Sequence, residues 1–218
     1  AIAEAVLCSL CTYSSIASPA QRSQPDMPDS PLRFATPGAW TDAVMADFDS
    51  FLLDHAAAEK KASGMAISML SHYPDRVDLV TAMADLAVEE LTHYREVVKW
   101  IHRRGLVTAA DRKDPYVLAF RKAIRQGSDV YLLDRLLTAS IIEARGAERF
   151  ALVANALETG AMKKFYQSIA RSEERHYELF LELAEQYLEP GMVQQRWDEL
   201  LDIEADIVQA LPIRAALH

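Results

Sequence analysis

Two short motifs constrain this chain more than any other feature of its sequence. Glu90-Leu91-Thr92-His93 and Glu173-Glu174-Arg175-His176 each place a glutamate three residues before a histidine, inside segments with helical periodicity. Residues three apart lie on one face of a helix, so each motif presents a carboxylate and an imidazole together. Two such pairs on neighbouring helices can bind a pair of metal ions, which predicts a helical bundle built around a shared site.

Composition favours the same class of fold. The chain has 218 residues, of which 50% are apolar and 25% charged, and it contains only seven glycines. Helix-forming residues fill the periodic segments, so we expect an all-α protein with one main domain. No apolar run is long enough to cross a bilayer, and we therefore expect a soluble, cytoplasmic protein without a membrane partner.

The apolar pattern predicts four long helices and two additional ones. The first should begin near Thr41 and run for about thirty residues, and Asp75 should cap the second, which ends at Gly105. A connection with a short helix around 116–125 should lead to a third long helix that Ser128 caps and that ends by Gly160. A fourth long helix and a last peripheral one should follow, over about 162–187 and 193–209.

Each long helix carries a carboxylate in the middle of its apolar stripe. A buried carboxylate is costly unless it is paired or metal-bound, and two histidines lie one turn away from two of them. Such a set suits two iron ions, each held terminally by one glutamate and one histidine, with two further carboxylates bridging. The predicted metal ligands are Glu59, Glu90, His93, Glu143, Glu173 and His176.

Other ionisable residues near these positions are assigned differently. Glu89 and Glu174 should point about a quarter-turn away and be solvated, so they are left out of the site. His55 shares the first stripe without a Glu-x-x-His partner, which indicates a role beside the ligands or in the core. The competing interpretation is a metal-free bundle whose carboxylates pair with Arg145, Arg149 or Arg175.

At these residues the chain resembles the ferritin-like di-iron carboxylate proteins, and more closely the MiaE family of tRNA hydroxylases. The resemblance covers about 34–190 and rests on four blocks. These are Asp54-His55-Ala56-Ala57-Ala58-Glu59-Lys60-Lys61-Ala62, Glu89-Glu90-Leu91-Thr92-His93-Tyr94, Ile142-Glu143-Ala144-Arg145-Gly146-Ala147-Glu148-Arg149-Phe150 and Ser172-Glu173-Glu174-Arg175-His176-Tyr177. The resemblance implies a ferritin-like four-helix bundle with a crossover connection and extra peripheral helices.

The resemblance also implies the reaction and its participants. The expected activity is oxygen-dependent hydroxylation of the isopentenyl group of 2-methylthio-N6-isopentenyladenosine at position 37 of tRNA. Two iron ions, O2 and an external electron donor would be needed, so a reductase is an expected partner, and a monomer is favoured. The alternatives are iron storage or peroxide detoxification on the same fold, and a helical interaction protein without enzymatic activity. A radical-generating role is less favoured because the first ligand here is Glu59 rather than an aspartate.

One basic stretch is the candidate tRNA contact. The chain has a net charge of -9, yet the segment 99–125 carries eight basic and two acidic residues, a net charge of +6. Such a local excess can bind phosphates, although basic residues near helix ends also complement the helix dipole. The candidates are Lys99, Arg103, Arg104, Arg112, Lys113, Arg121, Lys122 and Arg125.

The N-terminal part of the chain is expected to lie outside the bundle. Residues 1–36 are interpreted as an extension and a proline-rich linker, and residues 37–218 as the ferritin-like di-iron domain. The only cysteines, Cys8 and Cys11, form a single Cys-x-x-Cys without a second pair or a nearby histidine, so they predict no zinc site.

Overall fold

The computed structural model describes residues 30–218, and all regular secondary structure in this range is helical, with no strand. Cys8, Cys11 and most of the expected extension therefore lie outside the described residues, and the domain boundary at 36 stays a prediction. The helices are α1 (Gly38–Ala46), α2 (Phe48–His72), α3 (Val77–Arg103), α4 (Pro115–Arg121), α5 (Ser128–Ala156), α6 (Ala161–Tyr187) and α7 (Pro190–Ala210). The all-α prediction is confirmed.

The boundaries of the helices differ from the expected ones in three places. The chain breaks at Asp47, whose carboxylate accepts a hydrogen bond from the Ser50 N–H, so the single helix of about thirty residues was wrong. Asp75 and Ser128 are not caps, because the N-cap positions belong to Arg76 and Gly127. Local capping geometry depends on backbone angles, which the apolar pattern does not reveal.

The four long helices form two hairpins, α2 with α3 and α5 with α6. Gly105 ends the second long helix as expected: it has a φ of 74° and its N–H donates to the carbonyl of His102. The rings of Phe51 near the start of α2 and Phe150 near the end of α5 lie 6.5 Å apart between centroids, so these two helices run in opposite directions. Since α3 returns along α2, the connection with α4 must cross the length of the bundle, which confirms the crossover.

Apolar side chains pack in two clusters at opposite ends of the bundle. One contains Met69, Leu79 and Phe180, and the other contains Phe51 and Val97, all of them fully buried. Burying this apolar surface supplies most of the stability of the fold. The two clusters leave a central layer where the apolar stripe of each long helix is interrupted by an ionisable residue.

The peripheral helix α7 packs against α5, and charged groups are buried between them. Arg145 on α5 is fully buried and donates two hydrogen bonds to Glu204 on α7, at 2.8 and 3.0 Å. The segment before α1 is held on the same side of α5, because the Thr36 N–H and hydroxyl donate to the two carboxylate oxygens of Glu148. No helix among residues 30–218 is long and apolar enough to cross a membrane.

Candidate metal centre

The central layer brings together all six predicted ligands. Their ligand atoms fall into two groups, each with all atoms within 4.8 Å of one another. Glu90 and Glu173 belong to both groups, whereas the other members belong to one each. The first group adds Glu59 and His93 to these two shared residues, and the second adds Glu143 and His176. This is the arrangement expected of two metal positions that share two bridging carboxylates.

Both imidazoles present the same ring nitrogen to the carboxylates. Nδ1 of His93 lies 3.4 Å from Glu90 and 3.6 Å from Glu59, and Nδ1 of His176 lies 2.9 Å from Glu90 and 3.6 Å from Glu173. The Nδ1 atoms are therefore the candidate metal-binding atoms.

Several of these atoms are buried without a hydrogen-bond partner. They are both carboxylate oxygens of Glu90, Oε1 of Glu173, Nδ1 of His93 and both ring nitrogens of His176. Although Nδ1 of His176 is close to Glu90, the two groups do not meet in hydrogen-bond geometry. Unsatisfied buried polar atoms are rare because each one costs free energy. A converging set of carboxylate oxygens and imidazole nitrogens therefore fits a pair of divalent metal ions such as iron.

The pKa values of these groups indicate which of them carry a proton when no metal ion is bound. Burial and the repulsion of Glu90 raise the pKa of Glu59 well above its usual value, and burial with the repulsion of Glu173 does the same for Glu143. Burial opposes protonation of the imidazoles, but the carboxylates outweigh it and raise the pKa of His93 to about 10 and that of His176 to about 12. Protons on these carboxyl and imidazole groups can therefore balance the negative charge of the centre when no metal ion is bound.

His55 contacts the centre through Glu59. Its Nε2 lies 2.5 Å from Oε1 of Glu59 and its Nδ1 lies 3.2 Å from the hydroxyl of Tyr166. The ring is fully buried, and burial lowers the pKa of His55 to about 3, so the imidazole is neutral. The expectation of a place beside the ligands or in the core agrees with this position.

Glu89 was expected to be solvated and outside the set of ligands, and it belongs to neither group of ligand atoms. Its side chain is 39% exposed, but Oε2 lies 3.3 Å from Nε2 of His176 and Oε1 lies 3.8 Å from Nε2 of His93. Arg175 and Ser172 donate hydrogen bonds to Glu89 as well. The sequence did contain a signal, because Glu89 precedes His93 by one helical turn, and such pairs meet on a helix surface.

The arginines of the competing interpretation do not reach the four carboxylates. Arg145 binds Glu204 and Glu148, Arg149 donates to the carbonyl of Leu217, and Arg175 donates to Glu89. Within residues 30–218, the metal-free pairing is therefore wrong.

A cavity of about 620 Å³ reaches the centre from one side, and four of the carboxylates line its inner end: Glu59, Glu90, Glu143 and Glu173. Its walls are largely apolar, with Ala62, Met65, Val117 and Ile142 among them. Volume and lining are typical of a site for a small organic group.

The structure places the eight predicted tRNA-contact residues in three kinds of position. Arg112, Lys113 and Arg121 are exposed and line the cavity. Exposed Lys61 and half-buried Arg135 line it too, although no sequence pattern indicated them. Four of the others make intramolecular contacts instead: Lys99 with Glu96, Arg103 with the Trp100 ring, Arg104 with Asp49 and Arg125 with Asp134. Lys122 is exposed at the end of α4.

Two relatives of known name are both tRNA hydroxylases. The tRNA 2-(methylsulfanyl)-N(6)-isopentenyladenosine(37) hydroxylase of Pseudomonas putida is 33% identical over 175 residues, which cover 80% of this chain and 85% of that protein. The enzyme of the same name from Salmonella typhimurium is 32% identical over 155 residues, or 71% of this chain and 56% of that protein.

A solved structure shares the fold. It is described as Protein 43 with aldehyde deformylating oxygenase activity from Synechococcus, with a TM-score of 0.81 and 30% identity. The match covers 86% of this chain and 94% of that one, which supports the ferritin-like bundle. The family model described as tRNA-(MS[2]IO[6]A)-hydroxylase (MiaE) matches residues 27–218, and the chain therefore belongs to the MiaE family.

Proposed function

We propose that this protein is a non-haem di-iron monooxygenase that hydroxylates the isopentenyl group of 2-methylthio-N6-isopentenyladenosine at position 37 of tRNA. The observation that carries the proposal is the cavity that connects exposed cationic residues with the four buried carboxylates of the central layer, which are grouped with the two histidines. Membership of the MiaE family and the names of the two relatives support the choice of substrate.

The six residues of the central layer are the proposed ligands. Glu59 and His93 would hold one ion, Glu143 and His176 the other, and Glu90 and Glu173 would bridge. Iron bound there would supply the electrons that activate O2, with an external donor restoring them, which is redox chemistry that protein side chains lack. His55 would orient Glu59 through its Oε1 atom, and Glu89 would orient His176 through its Nε2 atom.

The remaining task of the chain is to place the substrate and to exclude water. The apolar walls around Ala62, Met65 and Ile142 would bind the prenyl group and keep its environment dry. Arg112, Lys113 and Arg121 at the exposed end would bind phosphates of the anticodon loop, as arginine and lysine commonly do. This division explains how an acidic protein can bind RNA through one local surface.

Other parts of the assignment belong to the same proposal. A reductase is the expected source of electrons, a monomer is the favoured state, and the cytoplasm is the expected location because tRNA is modified there. Residues 37–218 are the proposed catalytic domain.

The direct test is to incubate the iron-loaded protein with tRNA carrying the prenylated, methylthiolated nucleoside, isotopically labelled O2 and a chemical reductant. Mass spectrometry of the nucleosides should show the gain of one labelled oxygen atom on the isopentenyl group. The Glu90→Ala variant serves as the control and should give no product. Unmodified nucleoside after incubation with fully iron-loaded wild-type protein would overturn the proposal.

Iron storage is tested in the same preparation. An enzyme of this kind should hold about two ions per chain, whereas a storage protein accumulates mineral far beyond the capacity of its ligands.

A further inference from the structure

Within residues 30–218, three buried side-chain polar atoms outside the central layer have no hydrogen-bond partner, and all three belong to residues that line the cavity. They are Nη1 of Arg135, Oγ1 of Thr138 and Nε2 of His218. Thr138 is 4% exposed, and the side chain of His218 is 5% exposed. Buried polar groups in an apolar wall are costly, so their shared position beside one cavity needs an explanation.

The positions of Arg135 and Thr138 along α5 show how far each residue lies from the carboxylates at the inner end of the cavity. Arg135, Thr138 and Ile142 follow one another at spacings of three and four, so they share one helix face. With a rise of about 1.5 Å per residue, Thr138 lies about 7.5 Å and Arg135 about 12 Å along the axis from Glu143. Arg135 is half-buried and Thr138 buried, which places the hydroxyl deeper than the guanidinium.

His218 is held in place from several directions. Its Nδ1 lies 3.1 Å from Oδ2 of Asp114, and its ring stacks on Tyr116 at a centroid distance of 4.7 Å and an angle of 12°. The preceding residue is fixed too, because the Leu217 N–H donates to Asp54. With Nδ1–H donating to the Asp114 carboxylate, Nε2 is the ring atom left for a ligand.

We propose that Arg135, Thr138 and His218 hydrogen-bond the base of the target nucleotide in the cavity, with its prenyl group directed at the carboxylates. The inference rests on the proposed function and adds the residues that recognise the purine itself. A purine base carries ring-nitrogen acceptors and an N6–H donor. Arg135 supplies only donors, and Thr138 can donate or accept. In the tautomer with Nδ1–H, Nε2 of His218 accepts a hydrogen bond. In the free protein, water would satisfy these atoms, and the base would displace it.

The test compares two RNA probes. One is an anticodon stem-loop with the prenylated, methylthiolated adenosine at position 37, and the other is the same loop with an abasic residue there. Binding to the full-length protein is measured by fluorescence anisotropy. Thr138→Val keeps the shape of the side chain and removes the hydroxyl, so it should weaken binding of the prenylated loop about five- to tenfold and leave the abasic loop unchanged.

Two further variants and a matched control accompany this experiment. Arg135→Met and His218→Phe should each lower the affinity for the prenylated loop more than that for the abasic loop. Ser140→Ala removes another buried hydroxyl of α5, which donates to the carbonyl of Tyr177 and lines no part of the cavity. It should change neither affinity, and circular dichroism should show that every variant is folded.

The outcomes separate the inference from the proposed function. If wild-type protein prefers the prenylated loop and all three variants retain that preference, the inference is wrong. If wild-type protein lacks the preference but hydroxylates the prenylated loop, the inference is wrong and the function stands. If it neither prefers nor hydroxylates this loop, both fail.

Discussion

His55 and Glu59 lie one helical turn apart on α2, with Nε2 of the imidazole 2.5 Å from Oε1 of the carboxylate. The ring is neutral, so when Glu59 is ionised the Nε2–H donates to its carboxylate and Nδ1 accepts from the Tyr166 hydroxyl. Tyr166 thereby fixes the tautomer and the orientation of the imidazole. Glu59 is held in the rotamer that turns its second oxygen toward His93, at 3.6 Å.

Replacing His55 should weaken metal binding without removing a ligand. We expect His55→Phe to lower the affinity of the centre for Co²⁺ about 10- to 100-fold, as is typical when a partner of a ligand is lost. Competition with a chromophoric chelator measures the affinity. His102→Ala, at an exposed histidine near the end of α3, is the control. Unchanged Co²⁺ affinity in the His55→Phe protein would show that the contact does not support the centre.

Shared and unshared ligands should differ in how much metal their loss removes. Glu90 belongs to both groups of ligand atoms and Glu143 to only one. Glu90→Gln should therefore reduce bound iron from about two ions per chain to nearly none, whereas Glu143→Gln should leave about one. Elemental analysis by mass spectrometry gives the metal content. Glu174→Gln, next to a ligand but outside both groups, should retain both ions, and equal losses in the first two variants would contradict the bridging roles.

Metal binding should release protons and strengthen as the pH rises. The pKa of His93 is raised to about 10 and that of His176 to about 12, so both rings are protonated near neutral pH without metal. Nδ1 must lose its proton to bind a metal ion, and the raised pKa values of Glu59 and Glu143 can add to the release. Binding of two metal ions should therefore release at least about two protons from the protein. For each proton released, the affinity for metal should rise about tenfold per unit increase in pH.

Calorimetry in two buffers of different ionisation enthalpy measures this proton release at about pH 7. A heat of Co²⁺ binding that does not depend on the buffer would contradict the protonation of the imidazoles.

Basic residues at the cavity should matter more for tRNA than those at the end of α3. Lys113→Gln with Arg121→Gln removes two exposed charges beside the cavity, and Lys99→Gln with Arg104→Gln removes two that pair with Glu96 and Asp49. Both double variants change the net charge equally. The first should bind tRNA about tenfold more weakly. The slope of log affinity against log salt concentration should also become less steep, by up to the equivalent of about two phosphate contacts. The second should bind nearly as wild type does.

Filter binding across a range of salt concentrations gives both quantities. Equal weakening in the two double variants would show that net charge, rather than position, controls RNA binding.

The Arg145–Glu204 pair should contribute strongly to stability. Both side chains are fully buried, so Arg145→Ala leaves a buried carboxylate without its partner and should cost about 3–5 kcal/mol. Arg33→Ala is the matched control, because Arg33 bonds Asp198 and Asp202 on α7 from an exposed position, where solvent screens the ion pairs, and its loss should shift the unfolding midpoint little. Urea unfolding of the metal-free variants at constant pH measures both losses. Similar midpoints for the two variants would contradict the role of the buried pair.

Much of the centre could be predicted because its signal is local. Glu90 with His93 and Glu173 with His176 each lie within one helical turn, and the surrounding apolar stripe shows which face is buried. Glu59 and Glu143 followed from the same reasoning, since each is a lone carboxylate in an apolar stripe.

The remaining features depend on contacts between distant parts of the chain. Arg145 and Glu204 are 59 residues apart, and no periodicity links them. The cavity is formed by α2, α4, α5 and the segment after α7, so its polar residues Thr138 and His218 share no sequence pattern. The break at Asp47 reflects a side-chain cap that competes with helix propagation, and both outcomes are consistent with the sequence.

The sharing of Glu90 and Glu173 has a consequence for the order of events during synthesis. Each hairpin supplies a terminal glutamate and one Glu-x-x-His motif, but each group of ligands also needs a carboxylate from the other hairpin. A nascent chain that ends before α6 therefore contains neither complete group. A metal ion that requires all four ligands of a group would therefore be bound only after the two hairpins have met.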